Sequence, residues 1–158
     1  MKPKRKTWKE KMADKEGFPK IFEIDHTMSK RWGTGTCVIV QPSEVNELMR
    51  HVRKGKVTTI DELRKALARR HRTTIACPIT TGIFAWIAAH AAEEQASAGK
   101  KSTTPYWRTL KTGGEINPKY PGGVAALKQK LSAEGHEIVR KRDRYFVSNF
   151  ADALGKIQ

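Results

Sequence analysis

The sequence predicts a mainly α fold with small β elements. It is built on a helix-turn-helix with a winged-helix-like end and a short N-terminal β and basic extension. Two stretches carry the helix-turn-helix: Ile60, Leu63, Ala66 and Leu67 recur at helical spacing, and a second helical stretch covers 80–97 after a break at 72–78. A third observation closes the domain. Residues 124–133 form another helical run with Gly135 just beyond it, and apolar segments at 137–139 and 145–147 flank Arg142-Asp143 as a hairpin. A chain of 158 residues can bury roughly 68–70% of its unfolded surface, so one principal domain needs no covalent staple.

Residues 1–20 are polar and cationic and read as a basic flexible arm, with at most a frayed helix around Trp8. Residues 21–41 form a short β extension, in which 21–24 and 37–41 read as strands separated by the turn chemistry of Gly33-Thr34-Gly35. Residues 42–150 make the main domain. Its first helix has Ser43 as N-cap, Glu44 in the first turn, an apolar stripe of Val45, Leu48, Met49 and Val52, and Gly55 as its stop. Thr59 and Glu62 fit a capping box that opens the next helix, whose polar face bears Arg64, Lys65, Arg69 and Arg70. Residues 99–104 read as a polar loop, 105–110 as a compact aromatic run, and Gly113-Gly114 and 117–123 as turns. Residues 151–158 are a tail, and no internal repeat is present.

The chain carries 31 Lys and Arg against 16 Asp and Glu, a formal charge of +15. The excess is clustered. Residues 1–20 hold eight basic and three acidic side chains, a net of five, and residues 50–72 hold nine and two, a net of seven. Clustered cations are the footprint of phosphate contacts, so the predicted partner is a polyanion, double-stranded DNA ahead of an anionic membrane. A solvated tail and a solvated helix face are the alternatives for the two clusters. So strong a field argues against a metabolic enzyme. The two cysteines, Cys37 and Cys77, are too few for a disulfide framework, and with five histidines at no metal-ligand spacing they give no metal site. The longest apolar stretch, 83–92, contains His90 and is too short to span a bilayer, and no signal-peptide pattern follows the basic N-terminus. The expectation is a soluble, cytoplasmic, nucleoid-associated monomer without a cofactor or membrane contact.

Few residues offer chemistry. Cys77 precedes Pro78 at a predicted helix N-terminus, where the dipole lowers a thiol pKa; a small buried cysteine is the alternative. Glu134-Gly135-His136 sets a carboxylate at a helix end, an arrangement equally suited to an exposed C-terminal turn. Tyr106-Trp107, between Pro105 and Arg108, is either core or a stacking platform for an unstacked base. No Gly-rich phosphate loop, Ser/His/Asp set or carboxylate pair accompanies them. The residues alone give a nucleic-acid-binding module with no catalytic group.

Three blocks then carry a resemblance: Gly55-Lys56-Val57-Thr58-Thr59-Ile60, Pro105-Tyr106-Trp107-Arg108, and Gly122-Gly123 followed by Lys128 and Glu134-Gly135-His136. In order and approximate spacing, over about residues 42–140, they resemble the C-terminal domain of O6-alkylguanine-DNA alkyltransferases. The chain is most similar in kind to the alkyltransferase-like proteins of that family, which lack the acceptor cysteine. Here Ile60 stands for the family's tyrosine, Tyr106 for the acceptor cysteine and Trp107 for its histidine, so only Glu134 of the nucleophile, base and orienter remains. The resemblance implies a protein that transfers no alkyl group. It implies instead binding of duplex DNA through the minor groove and retention of an extruded, alkylated guanine for nucleotide-excision-repair proteins. It places a base pocket at Tyr106, Trp107, Arg108 and Glu134, and DNA contacts at Lys56, Thr58, Thr59, Arg64, Arg69, Arg70, Arg72, Thr80, Thr81 and Gly82. The family's intercalating arginine falls near Ile79, with Arg72 as its nearest substitute. Two rival readings are a sequence-independent architectural DNA binder and a transferase using Cys77 as a relocated acceptor.

Overall fold

The computed structural model describes residues 4–157. In chain order its elements are α1 (Trp8–Met12), β1 (Lys20–Glu23), α2 (His26–Trp32), β2 (Thr36–Ile39), α3 (Pro42–Arg50), β3 (Thr58–Thr59) and α4 (Ile60–His71). They continue with β4 (Ile75–Ala76), α5 (Pro78–Ser97), β5 (Thr109–Leu110), α6 (Gly123–Ala133), β6 (Ile138–Lys141) and β7 (Arg144–Val147). Short 3-10 turns lie at Tyr106–Arg108, Thr112–Gly114 and Phe150–Ala153. The fold is mainly α with small β elements.

Helix α5 organises the rest because it is apolar on nearly every side: Phe84, Ala85, Ile87, Ala88, Ala89, Ala91 and Ala92 are all buried. The stripe of α3 (Val45, Leu48, Met49) and that of α4 (Leu63, Ala66, Leu67) close on it, and Leu110, Leu127 and Leu131 complete the same core. Thr59 starts α4 by accepting from the Glu62 amide at 3.2 Å. That helix stops where Arg72 turns left-handed (φ 55°), and Pro78 opens α5 a few residues later. The pair α4 and α5 is the helix-turn-helix. Downstream, Gly135 sits at φ 91° beyond α6, a conformation only glycine adopts without strain, and it releases the chain into the antiparallel β6–β7 hairpin.

Four features depart from the sequence reading. Helix α3 starts at Pro42 behind Gln41 as its N-cap, not behind Ser43, and it ends at Arg50, ahead of Gly55. Residues 7–12 of the arm are not free of the domain. Thr7 and Glu10 form a capping box for α1, and Trp8 packs against Trp86 and His90 of α5. Burial of one tryptophan attaches a helix too short to persist alone. Within the β extension, α2 sits between the two strands where only a turn was expected. Asp25 caps it by accepting from the Met28 amide at 2.8 Å, and Met28 and Trp32 cover a small cluster of Ile24, Cys37 and Cys77. β1 and β2 pair antiparallel, and β4 joins them in parallel register from the helix-turn-helix break. The tail also returns to the domain: the Val57 amide donates to the Ala153 carbonyl at 2.9 Å and the Gly155 amide to the Val57 carbonyl at 3.0 Å. Residues 1–3 of the arm and residue 158 of the tail lie outside the described residues. Among the described residues no helix is long and apolar enough to cross a membrane, and no group of three His, Cys, Asp or Glu is placed to hold a metal ion.

Candidate nucleic-acid interface

The four residues predicted to form a base pocket do meet, but they meet as a closed network. Arg108 donates from Nε to both Glu134 oxygens at 3.0 Å and from Nη2 to Oε1 at 2.7 Å, while its Nη1 donates to the Val52 carbonyl at 2.8 Å. Trp107 Nε1 donates to the same Glu134 carboxylate at 3.0 Å. Burial pushes the Glu134 pKa up, but the hydrogen bonds from Arg108 and Trp107, the Arg108 charge and the Gly55 amide outweigh it and hold the carboxyl below its ordinary range. Tyr106 is buried in the core, donates to Glu93 at 3.2 Å and packs edge-on against Trp107 and Tyr120. Burial, then the Glu93 charge, pushes its phenol up to about 12. The network has a physical reason. A buried guanidinium requires a carboxylate, the end of α6 supplies one, and the aromatic rings fill the space around the pair.

The predicted DNA contacts divide in the same way. Thr58, Thr59 and Thr81 are buried, so none of the three faces a partner: Thr59 caps α4 and Thr81 donates to the Cys77 carbonyl at 2.7 Å. Arg64 lies half-buried along α4, with Nε donating to the Ala76 carbonyl at 2.9 Å, and so ties α4 to β4 in the break before α5. Arg70 is paired with Glu44 and Glu47 of α3. Arg69 and Arg72 remain exposed at the end of α4, and Lys56 lines a cleft with Arg53 and the C-terminal Leu154 and Lys156. Thr80 is partly exposed, and Gly82 opens onto a different cavity.

That cavity is a cleft of about 860 Å³ between the first turns of α5 and the chain from Lys111 to Lys119. Ile60, Ile79, Gly82, Ile83 and Trp86 give it an apolar floor, and Lys111, Lys119 and Arg144 give it a cationic rim. None of the four predicted pocket residues lines it. Ile79 is 61% and Ile83 45% exposed, unusual values for isoleucines on an otherwise buried helix. Glu115 is the one acid in the lining, and it is already engaged: Arg144 donates to it at 2.5 Å and Lys111 lies at 3.6 Å. The Arg144 hydrogen bond holds this carboxyl below its ordinary range against the opposing effect of burial. The rim therefore keeps a net positive charge.

Sequence reasoning missed this site because its lining comes from residues spread between 60 and 144. One signal was present: the first turns of α5 carry isoleucines on the side that a buried helix would give to polar residues. A second was the run Arg140-Lys141-Arg142-Asp143-Arg144. Its net of three, added to the twelve of 1–20 and 50–72, accounts for the whole +15.

No protein-family model matches the chain, and no curated protein matches it. Two solved structures share part of its shape. Schizosaccharomyces pombe (S. pombe) Atl1 in complex with damaged DNA containing O6-carboxymethylguanine is 20% identical, with a TM-score of 0.48 over 73% of this chain and 94% of that one. S. pombe ATL in complex with DNA is 19% identical, with a TM-score of 0.46 over the same shares.

Proposed function

We propose that this is a non-enzymatic DNA-binding protein that receives an extruded, alkylated base in the cleft beneath α5. The observation that carries the reading is the pairing of an apolar floor with a cationic rim at the exposed first turns of α5, the second helix of the helix-turn-helix. A volume of about 860 Å³ is ample for a nucleobase, the Trp86 ring offers a stacking face, and Lys111, Lys119 and Arg144 stand where flanking phosphates would pass. Ile79 and Ile83 suit the role of an apolar wedge, inserting between base steps to unstack them. The β6–β7 hairpin extends the cationic surface away from Arg144. Handing the lesion to excision-repair proteins, acting as a monomer and residing with the nucleoid belong to the same reading.

Absence of group transfer is supported by the thiols. Both cysteines are buried in one cluster, Cys37 on β2 and Cys77 just before α5, outside the cleft. Burial, then the neighbouring Cys77, pushes the Cys37 thiol up to about 11, so the nucleophilic thiolate is scarce.

Ile83→Glu tests the site. A charge on the floor should abolish any preference for an O6-methylguanine duplex over a plain one while leaving plain-duplex affinity within a few-fold. Equal affinity of the wild type for both duplexes returns the protein to the architectural class, and a one-methyl gain in intact mass after incubation makes it a transferase.

A further inference from the structure

The N-terminal helix α1 is attached to the back of one wall of the cleft. The Trp8 ring stacks on His90 with centroids 4.5 Å apart and planes 20° from parallel, and it meets Trp86 edge-on at 4.8 Å. Lys11 Nζ lies 4.2 Å above the same ring. Glu94, one turn beyond His90, accepts from the Trp8 and Lys9 amides at 3.3 Å each, so α5 supplies a carboxylate to the N-terminus of α1. Trp86 and His90 in turn line the cleft.

Their ring nitrogens converge on one atom across it. Trp86 Nε1 donates to the Lys119 carbonyl at 3.2 Å, and His90 Nε2 lies 3.4 Å from the same oxygen. Lys119 belongs to a turn that forms the opposite wall, held by its own amide donating to Asn117 Oδ1 at 3.0 Å. A continuous chain of contacts therefore runs from Trp8 through two rings to the turn that bears the rim cation.

We infer that Trp8 is a positioning residue for the cleft: by fixing the Trp86 and His90 rings it sets the distance between α5 and the 117–119 turn, and so the discrimination between bases. The inference rests on the proposed function for its consequence but not for its geometry. It gives the N-terminal segment a task distinct from adding charge, since Trp8→Ala removes no cation. Breaking one stacked aromatic contact should reduce the affinity ratio for an O6-methylguanine duplex over a plain duplex by roughly 2- to 10-fold.

The full chain carrying Trp8→Ala, Trp8→Phe or Glu94→Gln would be compared with the wild type in two measurements. Hydrogen exchange of the free protein should show faster exchange of the 119 and 120 amides in Trp8→Ala and Glu94→Gln, with Trp8→Phe close to wild type. Duplex titrations should show the ratio falling in the same order, with the salt dependence of plain-duplex binding unchanged. Unaltered exchange at 119–120 in both weakening variants overturns the inference, as does a ratio that stays at the wild-type value while that exchange rises. A wild-type ratio of one removes the proposed function, and the exchange result then decides the placement of Trp8 by itself.

Discussion

At Glu134 one carboxylate accepts from Trp107 and from three directions of Arg108, and that demand is what turns a plausible base platform into core. The side chains of Arg108 and Glu134 are 13% and 7% exposed. Removing the charge of one partner leaves the other uncompensated, so Glu134→Gln should lower folding stability by on the order of 3 kcal/mol in urea unfolding. Trp107→Ala should likewise lower the melting temperature and weaken binding to all duplexes together, whereas a true platform would lose only lesion preference. His136 adds a pH dependence. Burial, which outweighs the favourable pull of Glu134, depresses its pKa below the ordinary 6.5 of an imidazole, and its Nε2 is buried without a partner. Between the depressed folded value and 6.5 the unfolded chain binds more protons. The stabilisation is thus complete above 6.5 and is lost as pH falls through the folded value. Stability of His136→Asn, measured against wild type at pH 7.5 and pH 5, should fall less on acidification.

Among elements, those with local signals were legible. The Thr59 cap, the stripe of α4, the glycine beyond α6 and the Arg142-Asp143 hairpin all appear within a residue or two of their expected bounds, because each is specified by neighbours in sequence, whereas α3 keeps its Val45, Leu48 and Met49 stripe but ends at Arg50, well before Gly55. The elements that were misread depend on distant partners. α1 is five residues long and stands on Trp86, His90 and Glu94; α2 stands on a cysteine cluster completed by Cys77. The site failed to show for the same reason. Trp107 and Arg108 look available until Glu134 reaches them, and Tyr106 until Glu93 does, while the isoleucines of α5 look buried until the fold leaves Ile79 and Ile83 uncovered. The β6–β7 hairpin carries its own prediction. Arg140, Lys141 and Arg142 lie at its exposed end beside the Arg144 that rims the cleft. Replacing all three by Gln should make the slope of log K against log salt shallower by roughly 2 to 3 on duplex DNA, at about 0.9 per phosphate contact. An unchanged slope would assign the hairpin to solvent.

Across the whole molecule, the excess charge lies in three segments that the fold sets on different elements, while one apolar opening interrupts them. The positive field attracts a polyanion without choosing a sequence. In the proposed reading, choice comes from the opening, whose lining joins the Trp86 face, the Ile79 and Ile83 side chains and the rim cations within one cleft. Extrusion is thus the central claim, and fluorescence reads it directly. A duplex would carry 2-aminopurine immediately 3′ to O6-methylguanine, so that loss of the stacked neighbour brightens the probe. Saturating wild-type protein should raise the emission several-fold, and Ile83→Glu, saturated at low salt, should leave it near the free-duplex level. A wild-type complex that is saturated yet no brighter than free DNA would contradict the account, because the base would still be in the stack.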